Sequence, residues 1–198
     1  MVGVGPWVGE WPKGDHFDPE LLENGDRRNV LDQYRYWTRE AISRAISDQS
    51  LGFEVAIENL GHDFNIGSIV RTANALGAAA VHIVGKRRWN RRGAMVTDRY
   101  LPVGHFPDVD SFVKDAARRR KILVGIDILD VSTPLETAVL PGEAILVFGE
   151  EGGGLSERML EECVAVHHVT QYGSTRSMNV GHAAAIAMWA WGRQNNNN

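Results

Sequence analysis

Short apolar runs alternate with segments of helical periodicity along most of this chain. The apolar runs have the length and β-branched content of buried strands, and they lie at residues 53–57, 80–84, 122–126, 144–148 and 164–169. Apolar positions recur at helical spacing at residues 29–48, 66–76, 110–119 and 181–191, and a short helix is predicted before Glu162. Strands that alternate with helices predict an α/β fold: a mostly parallel sheet with helices on both faces.

The same pattern divides the chain into four predicted segments. Residues 1–28 hold many glycines, prolines and acidic residues without a sustained period, so they predict an irregular arm. Residues 29–50 predict an N-terminal helical extension with Asn29 as its cap, and residues 51–193 predict the α/β domain. Residues 194–198, Gln194 followed by four asparagines, predict a polar tail.

Composition narrows the class of protein. With 198 residues, 43% hydrophobic residues and a formal charge of −4, the chain is predicted to fold around a full core. It has no run of about 18 apolar residues and its start lacks a signal-peptide pattern, so we expect neither membrane insertion nor secretion. Cys163 is the only cysteine, which excludes an intrachain disulfide. A single cysteine is typical of a reducing compartment, so we expect a cytoplasmic protein. The histidines are scattered and form no metal-binding motif, so we expect no metal.

Basic residues are concentrated in two clusters. The first surrounds an aromatic ring, which predicts RNA binding through phosphate contacts and base stacking, and it comprises Lys86, Arg87, Arg88, Trp89, Arg91 and Arg92. Arg35 and Arg39 on the predicted N-terminal helix are further candidates for RNA contacts. The second cluster, residues 118–121, lies at a predicted helix end, where cations are stabilised by the helix dipole, and we interpret it as structural.

Three polar clusters interrupt the α/β pattern. Residues 65–73 open a predicted helix and place Arg71 on an otherwise apolar segment. Residues 149–156 form a glycine-rich turn after a predicted strand, the position at which α/β proteins bind ligands. The turn lacks the dinucleotide and P-loop spacings, and its two carboxylates favour a cationic ligand or one rich in hydrogen-bond donors. Residues 169–180 form a polar loop that leads into the apolar helix. That helix is predicted to be buried within the domain or against a second copy of the chain.

In this order and spacing, the three clusters resemble the three motifs of the TrmH-like (SpoU) branch of the SPOUT RNA 2′-O-ribose methyltransferases. The resemblance extends from about Phe53 to Trp191. It implies a C-terminal trefoil knot in the α/β domain, a homodimer, and S-adenosylmethionine as the cofactor for methylation of a ribose 2′-hydroxyl.

The resemblance also implies roles for individual residues. Arg71 corresponds to the catalytic arginine, and its supporting polar groups are Asn65, Glu151, Ser177 and Asn179. The loops that hold the cofactor contain Val147, Phe148, Gly149, Glu151, Gly154, Val169, Gln171, Gly173, Ser177, Met178 and Asn179. Two positions depart from the family pattern: Gly181 stands where a small hydroxyl residue is common, and Gln171 where an apolar residue is usual.

The RNA substrate and the reaction leave alternatives open. The roughly 50 residues before Phe53 are short for a separate RNA-binding domain. The resemblance therefore favours a methyltransferase that acts on tRNA, with a D-loop guanosine as one candidate target. A ribosomal RNA 2′-O-methyltransferase of the same family is the first alternative. A non-catalytic RNA-binding module is a second alternative. A nucleotide-dependent oxidoreductase is disfavoured because the glycine-rich turn follows a late strand and lacks the fingerprint spacing.

Overall fold

The fold was taken from a computed structural model that describes residues 3–59, 65–150 and 152–196. It divides into two compact units, Met1–Gln49 and Ser50–Asn198. None of the helices in the described ranges is long and apolar enough to cross a bilayer.

The N-terminal unit contains two helices, α1 (Pro19–Asn24) and α2 (Arg39–Asp48), with a 3-10 turn at Asp32–Tyr34 between them. The prediction of an irregular arm over residues 1–28 is therefore wrong at α1. This helix begins at a proline and is capped by Asp18, whose side chain accepts hydrogen bonds from two backbone N–H groups.

The continuous helix predicted over residues 29–48 is also wrong, because α2 begins only at Arg39, with Thr38 rather than Asn29 as its cap. The buried carboxylate of Asp26 accepts hydrogen bonds from the Tyr36 N–H at 3.0 Å and from the Arg28 guanidinium at 2.7 and 2.9 Å. Tyr36 has a φ of 63°, outside the helical region. This non-local contact bends the chain where apolar periodicity alone predicts a helix.

The larger unit is built on one seven-stranded sheet. Its strands are β1 (Glu54–Asn59), β2 (Ala80–Gly85), β3 (Val103–Phe106), β4 (Ile122–Ile126), β5 (Thr133–Pro134), β6 (Ala144–Phe148) and β7 (Ala165–His168). They lie in the order β3-β2-β1-β6-β4-β7-β5, and every neighbouring pair is parallel. The predicted parallel α/β fold is confirmed. The strands β3 and β5 were missed because they are short and partly exposed.

Helices cover both faces of this sheet, as predicted. The remaining helices are α3 (Ile66–Ala75), α4 (Val109–Arg118), α5 (Glu157–Leu160) and α6 (Val180–Asn195). On one face, α3 and α6 pack in a core around Phe53, Phe148 and Trp191. On the other face, α4 and α5 pack in a second core around Phe112 and Met159.

Helix α6 extends further than predicted, so the polar tail does not begin at residue 194. Gln194 accepts a hydrogen bond from the Leu140 N–H at 3.0 Å, and Asn195 donates to the Leu140 carbonyl at 3.2 Å. These contacts keep the last turn of the helix on the domain.

Candidate functional site

A cleft of about 590 Å³ lies at the carboxyl edge of the sheet. Its walls are the chain segments that follow β4, β6 and β7, and because those strands are parallel neighbours, their ends meet at one edge. The lining residues are Ile126 to Leu129, Gly149, Glu150, Gly152 to Gly154, His168, Val169, Gln171, Arg176 to Val180, and Ala183. The glycine-rich turn and the polar loop that the sequence singled out therefore share one cleft.

The glycine-rich turn closes on itself by two backbone hydrogen bonds. The Glu150 N–H donates to the Gly154 carbonyl at 3.2 Å, and the Gly154 N–H donates to the Glu150 carbonyl at 3.1 Å. A Cβ on Gly149 would lie 2.0 Å from the Gly154 carbonyl carbon, so only glycine fits there. The Asp127 carboxylate accepts from the Leu155 N–H at 2.8 Å and fixes the far end of the turn.

Behind the turn, a buried carboxylate connects β1 to α5. Glu58, which is 1% exposed, accepts from the Ser156 N–H at 2.8 Å and from its hydroxyl at 2.7 Å. The same hydroxyl accepts from the Met159 N–H and caps α5. Ser156 thus positions the end of the glycine-rich segment against the sheet.

The first and third sequence clusters meet through two asparagines. Asn179 donates from Nδ2 to Oδ1 of Asn65 at 2.9 Å, while its own Oδ1 accepts from the N–H groups of Gly181 and His182 and caps α6. A Cβ on Gly181 would lie 3.0 Å from Oδ1 of Asn179 and 3.6 Å from Oδ1 of Asn65. The small residue at this departure from the family pattern therefore leaves room for the pair.

Asn65 also reaches the glycine-rich turn. Together with Gly149, Glu150 and Val180 it lines a small crevice at the base of the turn. Arg71 lies on α3, two turns beyond Asn65, with an exposed side chain, and it is not one of the cleft-lining residues. The structure thus brings the three clusters together at Asn65, Glu150 and Asn179, and leaves the guanidinium of Arg71 open to solvent.

The other predicted site residues fall into three groups. Gly149, Gly154, Val169, Gln171, Ser177, Met178 and Asn179 line the cleft. Val147 and Phe148 are fully buried in the two cores, and their side chains do not line it. Gly173 belongs to the same loop as Gln171 without lining the cleft, and Glu151 lies outside the described residues.

Sequence reasoning missed Asp127, His168 and Arg176 as cleft residues, and it considered Glu150 only as one of the two carboxylates of the glycine-rich turn. The positions of two of them indicate a place at the carboxyl edge of the sheet, because Asp127 directly follows β4 and His168 ends β7. Which strand ends lie side by side, however, depends on the strand order, and periodicity does not give that order.

The basic segment of residues 86–92 follows β2 at the same edge of the sheet. Lys86, Arg87, Arg88, Arg91 and Arg92 are exposed. Trp89 packs partly against the core, and the Arg91 guanidinium lies 5.4 Å from its ring centroid. One face of the ring is therefore already covered. The buried Asn59 donates to the carbonyls of Lys86 and Arg88 and holds the segment at the end of β1.

The basic segment also lies against α3 in space, although α3 precedes it in the chain. A Cβ on Gly67 would lie 2.8 Å from the Ala94 backbone nitrogen and 2.9 Å from Cα of Gly93. The first turn of α3 therefore contacts the 3-10 helix Arg91–Ala94 backbone to backbone. The predicted RNA-binding segment and the helix that carries Asn65 and Arg71 are packed as neighbours.

Within the N-terminal unit, the two predicted RNA contacts differ. The side chain of Arg35 is 12% exposed and donates to the Arg28 carbonyl at 2.6 Å. Arg39 is exposed at the start of α2. Arg35 therefore makes its contacts within the N-terminal unit, whereas the side chain of Arg39 is accessible to solvent.

The second basic cluster pairs with carboxylates at the amino edge of the sheet. Arg119 donates to both carboxylate oxygens of Glu54, at 2.6 and 2.8 Å, and the His82 Nε2 lies 2.6 Å from the same group. Burial alone would raise the pKa of Glu54, but the hydrogen bonds from His82 and Arg119 outweigh it and lower that pKa to about 2. Lys121 lies 2.5 Å from Glu143. These contacts support the structural interpretation of residues 118–121.

The polar groups at the cleft make it suited to an organic ligand. Asp127 and Glu150 supply carboxylates, Arg176 supplies a cation, and the Nε2 of Gln171 is buried with no hydrogen-bond partner in the described structure. Among the described residues, no three His, Cys, Asp or Glu side chains converge as metal ligands.

A parallel sheet with a cleft formed by the loops after neighbouring strands defines an α/β domain whose carboxyl edge has the form of a small-molecule site. The chain belongs to the SpoU rRNA Methylase family, whose model matches residues 52–189. The resemblance drawn from the three clusters is thereby confirmed.

Relatives and solved structures agree with this family. The chain is 31% identical over 162 residues to an uncharacterized tRNA/rRNA methyltransferase of Mycobacterium sp. (strain KMS), covering 78% of this chain and 51% of that protein. It therefore spans about half the length of the curated relatives it matches. The A. aeolicus TrmH/SpoU tRNA modifying enzyme has a similar fold, with a TM-score of 0.70 at 19% identity over 80% of this chain and 82% of that one. The SpoU methyltransferase AviRb from Streptomyces viridochromogenes, solved with AdoMet, has a TM-score of 0.65 at 24% identity over 73% of this chain and 58% of that one.

Proposed function

We propose that this chain is an S-adenosylmethionine-dependent RNA methyltransferase that modifies a ribose 2′-hydroxyl, with tRNA as the favoured substrate. One observation carries the proposal: the turn at residues 149–154 and the loop at residues 169–179 line a single cleft. The Asn65–Asn179 hydrogen bond joins that cleft to the helix that bears Arg71.

The cleft residues fit S-adenosylmethionine. A volume of about 590 Å³ lies within the range that accommodates a nucleoside-sized ligand. Apolar side chains of Ile128, Leu129, Val169 and Met178 suit a purine ring, and the unpartnered Nε2 of Gln171 is a donor that lacks an acceptor. The carboxylates at the turn favour a cation over a phosphate. When bound, the cofactor supplies a methyl group activated by a sulfonium.

The chain's own residues are proposed to position the RNA sugar. A guanidinium stays protonated at neutral pH, which makes it a poor base and a good bidentate clamp. We assign Arg71 to hold the phosphate next to the target ribose and to stabilise charge that develops on the 2′-oxygen, with the proton passing to phosphate or water. Asn65 and Asn179 orient the start of α3 and the cleft loop relative to each other.

The basic segment at residues 86–92 is the proposed contact for the RNA backbone. Its exposed guanidinium groups neutralise phosphates, and its packing against α3 keeps them close to the helix that carries Arg71. Relatives of this chain are named tRNA/rRNA methyltransferases, so ribosomal RNA is the alternative substrate.

We also propose that the chain works as a homodimer whose domain contains the trefoil knot implied by the family. Ile186 and Trp189, three residues apart on α6, are 38% and 56% exposed, although the helix is apolar. A second copy packed on this surface would cover them. Since Val180 and Ala183 of the same helix line the cleft, that contact would lie next to the site.

The test is a transfer assay with labelled S-adenosylmethionine and separate pools of unmodified tRNA and ribosomal RNA. Labelled nucleotides are then mapped by mass spectrometry. We expect label on a ribose 2′-oxygen in tRNA. Label on a base would contradict the proposed chemistry, and RNA binding without transfer would favour a non-catalytic RNA-binding module.

A further inference from the structure

Two apolar residues, Met95 and Val96, project from the domain shortly after the basic segment, and we name them the apolar tip. Ala94 before them is fully buried and Thr97 after them is nearly so, and the Thr97 hydroxyl donates to the Ala94 carbonyl at 2.6 Å. Between these anchors, Met95 is 50% exposed and Val96 is 46% exposed. The Val96 carbonyl also accepts from the Arg99 N–H at 3.1 Å. Two apolar side chains therefore stand out on a short loop with a fixed base.

The backbone of the apolar tip adopts a conformation that costs free energy. Met95 has a φ of 48° and Val96 a φ of 71°, so both residues lie in the left-handed region. Glycine enters that region freely and asparagine tolerates it, whereas a β-branched valine is strongly disfavoured there. A loop that only had to turn at this point would be more stable with small residues. Strained backbone that presents exposed side chains is typical of functional positions.

The surface around the apolar tip is cationic. Residues 86–99 contain six lysines and arginines and one carboxylate, in a chain whose net charge is −4. That carboxylate belongs to Asp98, whose side chain is 7% exposed and pairs with Arg91 at 3.2 Å. Arg92 and Arg99, on either side of the tip in the chain, are exposed. An apolar contact within a positive surface is complementary to a nucleic acid strand, which presents phosphates and the apolar faces of its bases.

The apolar tip also lies near the helix that carries Arg71. A Cβ on Gly93, two residues before the tip, would lie 3.1 Å from the backbone nitrogen of Ser68 on α3. Ser68 and Arg71 are both exposed and three residues apart, so they share one face of that helix. The reach of two extended residues and one helical turn then keeps the backbone of Met95 within roughly 20 Å of the Arg71 backbone. One bound RNA segment can therefore contact both.

We propose that the apolar tip packs on the face of an unpaired base close to the target ribose, an inference that rests on the proposed function. The exposed cations of the basic segment hold the RNA backbone, and the tip contacts a base that a duplex would keep stacked. The tip thus selects RNA whose modified sugar lies in a loop or a single strand. Trp89 is less suited to this contact, because it packs partly against the core and Arg91 covers one face of its ring.

The test removes the apolar side chains without straining the fold. The double variant Met95→Asn and Val96→Asn keeps residues that tolerate the left-handed backbone, so its melting temperature should equal or exceed that of the wild-type chain. Val139→Asn is the matched control, because Val139 is 90% exposed and lies in the segment that leads to the amino end of β6, whereas the basic segment follows the carboxyl end of β2. Fluorescence anisotropy measures binding of the full chain to a hairpin RNA with an unpaired loop and to a duplex RNA of equal length, at several salt concentrations.

We expect the wild-type chain and Val139→Asn to bind the hairpin about tenfold more tightly than the duplex, and the double variant to lose that preference. Duplex binding and its salt dependence should stay unchanged in the double variant, because no phosphate contact is removed. A wild-type chain without the preference, a double variant that retains it, or an equal loss in Val139→Asn would overturn the inference. So would a changed oligomeric state in the double variant with unchanged hairpin binding, because the tip would then be a contact between copies of the chain.

The outcome for the proposed function is read separately, by the methyl-transfer assay. A preference for the hairpin that depends on the tip, in a chain that transfers no methyl group to any RNA pool, would overturn the proposed function and leave the contact with an unpaired base. Methyl transfer to a ribose by a double variant with unchanged hairpin binding would overturn the inference alone.

Discussion

The two edges of the sheet use charged side chains in different ways. At the amino edge, the buried carboxylate of Glu54 is surrounded by Arg119 and His82, and its hydrogen bonds stay within the fold. At the carboxyl edge, Glu150 and Arg176 line a cleft, and neither forms an ion pair with another of the described residues. Charges that are satisfied internally stabilise a fold, and polar groups left facing a cavity are available to a ligand. The charged groups of the amino edge therefore stabilise the fold, and those of the carboxyl edge form the candidate functional site.

The largest contrast is expected between two arginines, Arg71 and Arg119. Arg71→Ala should lower kcat about 100-fold to 1,000-fold, as removal of a charge-stabilising donor does, and leave the melting temperature and cofactor binding unchanged. Arg71→Lys should recover little, because lysine lacks the bidentate geometry. Steady-state kinetics with RNA, with calorimetry of cofactor binding as the control, measures both effects.

A lysine variant whose rate rises with pH as the new amine loses its proton would contradict the clamp, because the side chain at position 71 would then act as a base. Arg119→Met should show the reverse pattern to Arg71→Ala: lower stability and a normal rate in the folded fraction.

Strong acid should weaken the amino edge of the sheet. The pKa of Glu54 is lowered from 4.5 to about 2, so the carboxylate stabilises the fold fully above pH 4.5, and this contribution is lost as the pH falls through about 2. The shift corresponds to about 3 kcal/mol at pH 7. Glu54→Gln should therefore be less stable by about that amount at pH 7 and match the wild-type chain near pH 2, as measured by urea unfolding.

Glu143→Gln serves as the control for Glu54→Gln, because Glu143 is 66% exposed and pairs with Lys121 at the surface. Its cost should be less than about 1 kcal/mol. Equal pH dependence of unfolding in Glu54→Gln and wild type would show that the buried carboxylate does not carry this stability.

The carboxyl edge should be sensitive to a single methyl group in the turn. Gly149→Ala places a Cβ 2.0 Å from the Gly154 carbonyl carbon, so the turn must open and cofactor affinity should fall about 100-fold. Gly173→Ala is the matched control in the facing loop, because nothing lies within 4 Å of its Cβ position. Similar dissociation constants for the two variants, measured by calorimetry, would refute the assigned role of the turn.

The smallest effect is expected for exposed cations. The double variant Arg87→Gln and Arg88→Gln should weaken RNA binding about fivefold and reduce its dependence on salt, because phosphate contacts release counterions. Arg118→Gln is the control at the amino edge, where Arg118 is exposed and pairs with Asp115. Filter binding at several salt concentrations separates the two, and an equal loss in both variants would argue against a specific RNA surface.

The sequence predicts those parts of this fold that repeat a local rule. Strand β6 is buried along its whole length and appears as a continuous apolar run, whereas β1 is equally buried but has its apolar residues, 55–57, between Glu54 and Glu58. The bend before α2 depends on the Asp26 carboxylate reaching the Tyr36 N–H ten residues away, and apolar periodicity contains no trace of that contact. Likewise, Asp127 and His168 join the cleft only because β4 lies between β6 and β7. The sequence predicts where the three motif clusters lie along the chain. It does not predict which residues from other strand ends join them at the cleft.

The contact between Gly67 and the backbone at Gly93 and Ala94 has a mechanical consequence. With no side chain between them, the start of α3 and the chain that follows the basic segment are in direct backbone contact, so a displacement of one is expected to displace the other. Displacement of that segment by an incoming nucleic acid would therefore shift Asn65, and with it the hydrogen bond to Asn179. Under the proposed function, RNA binding at residues 86–92 and the position of Asn65 would be coupled through Gly67 and Gly93.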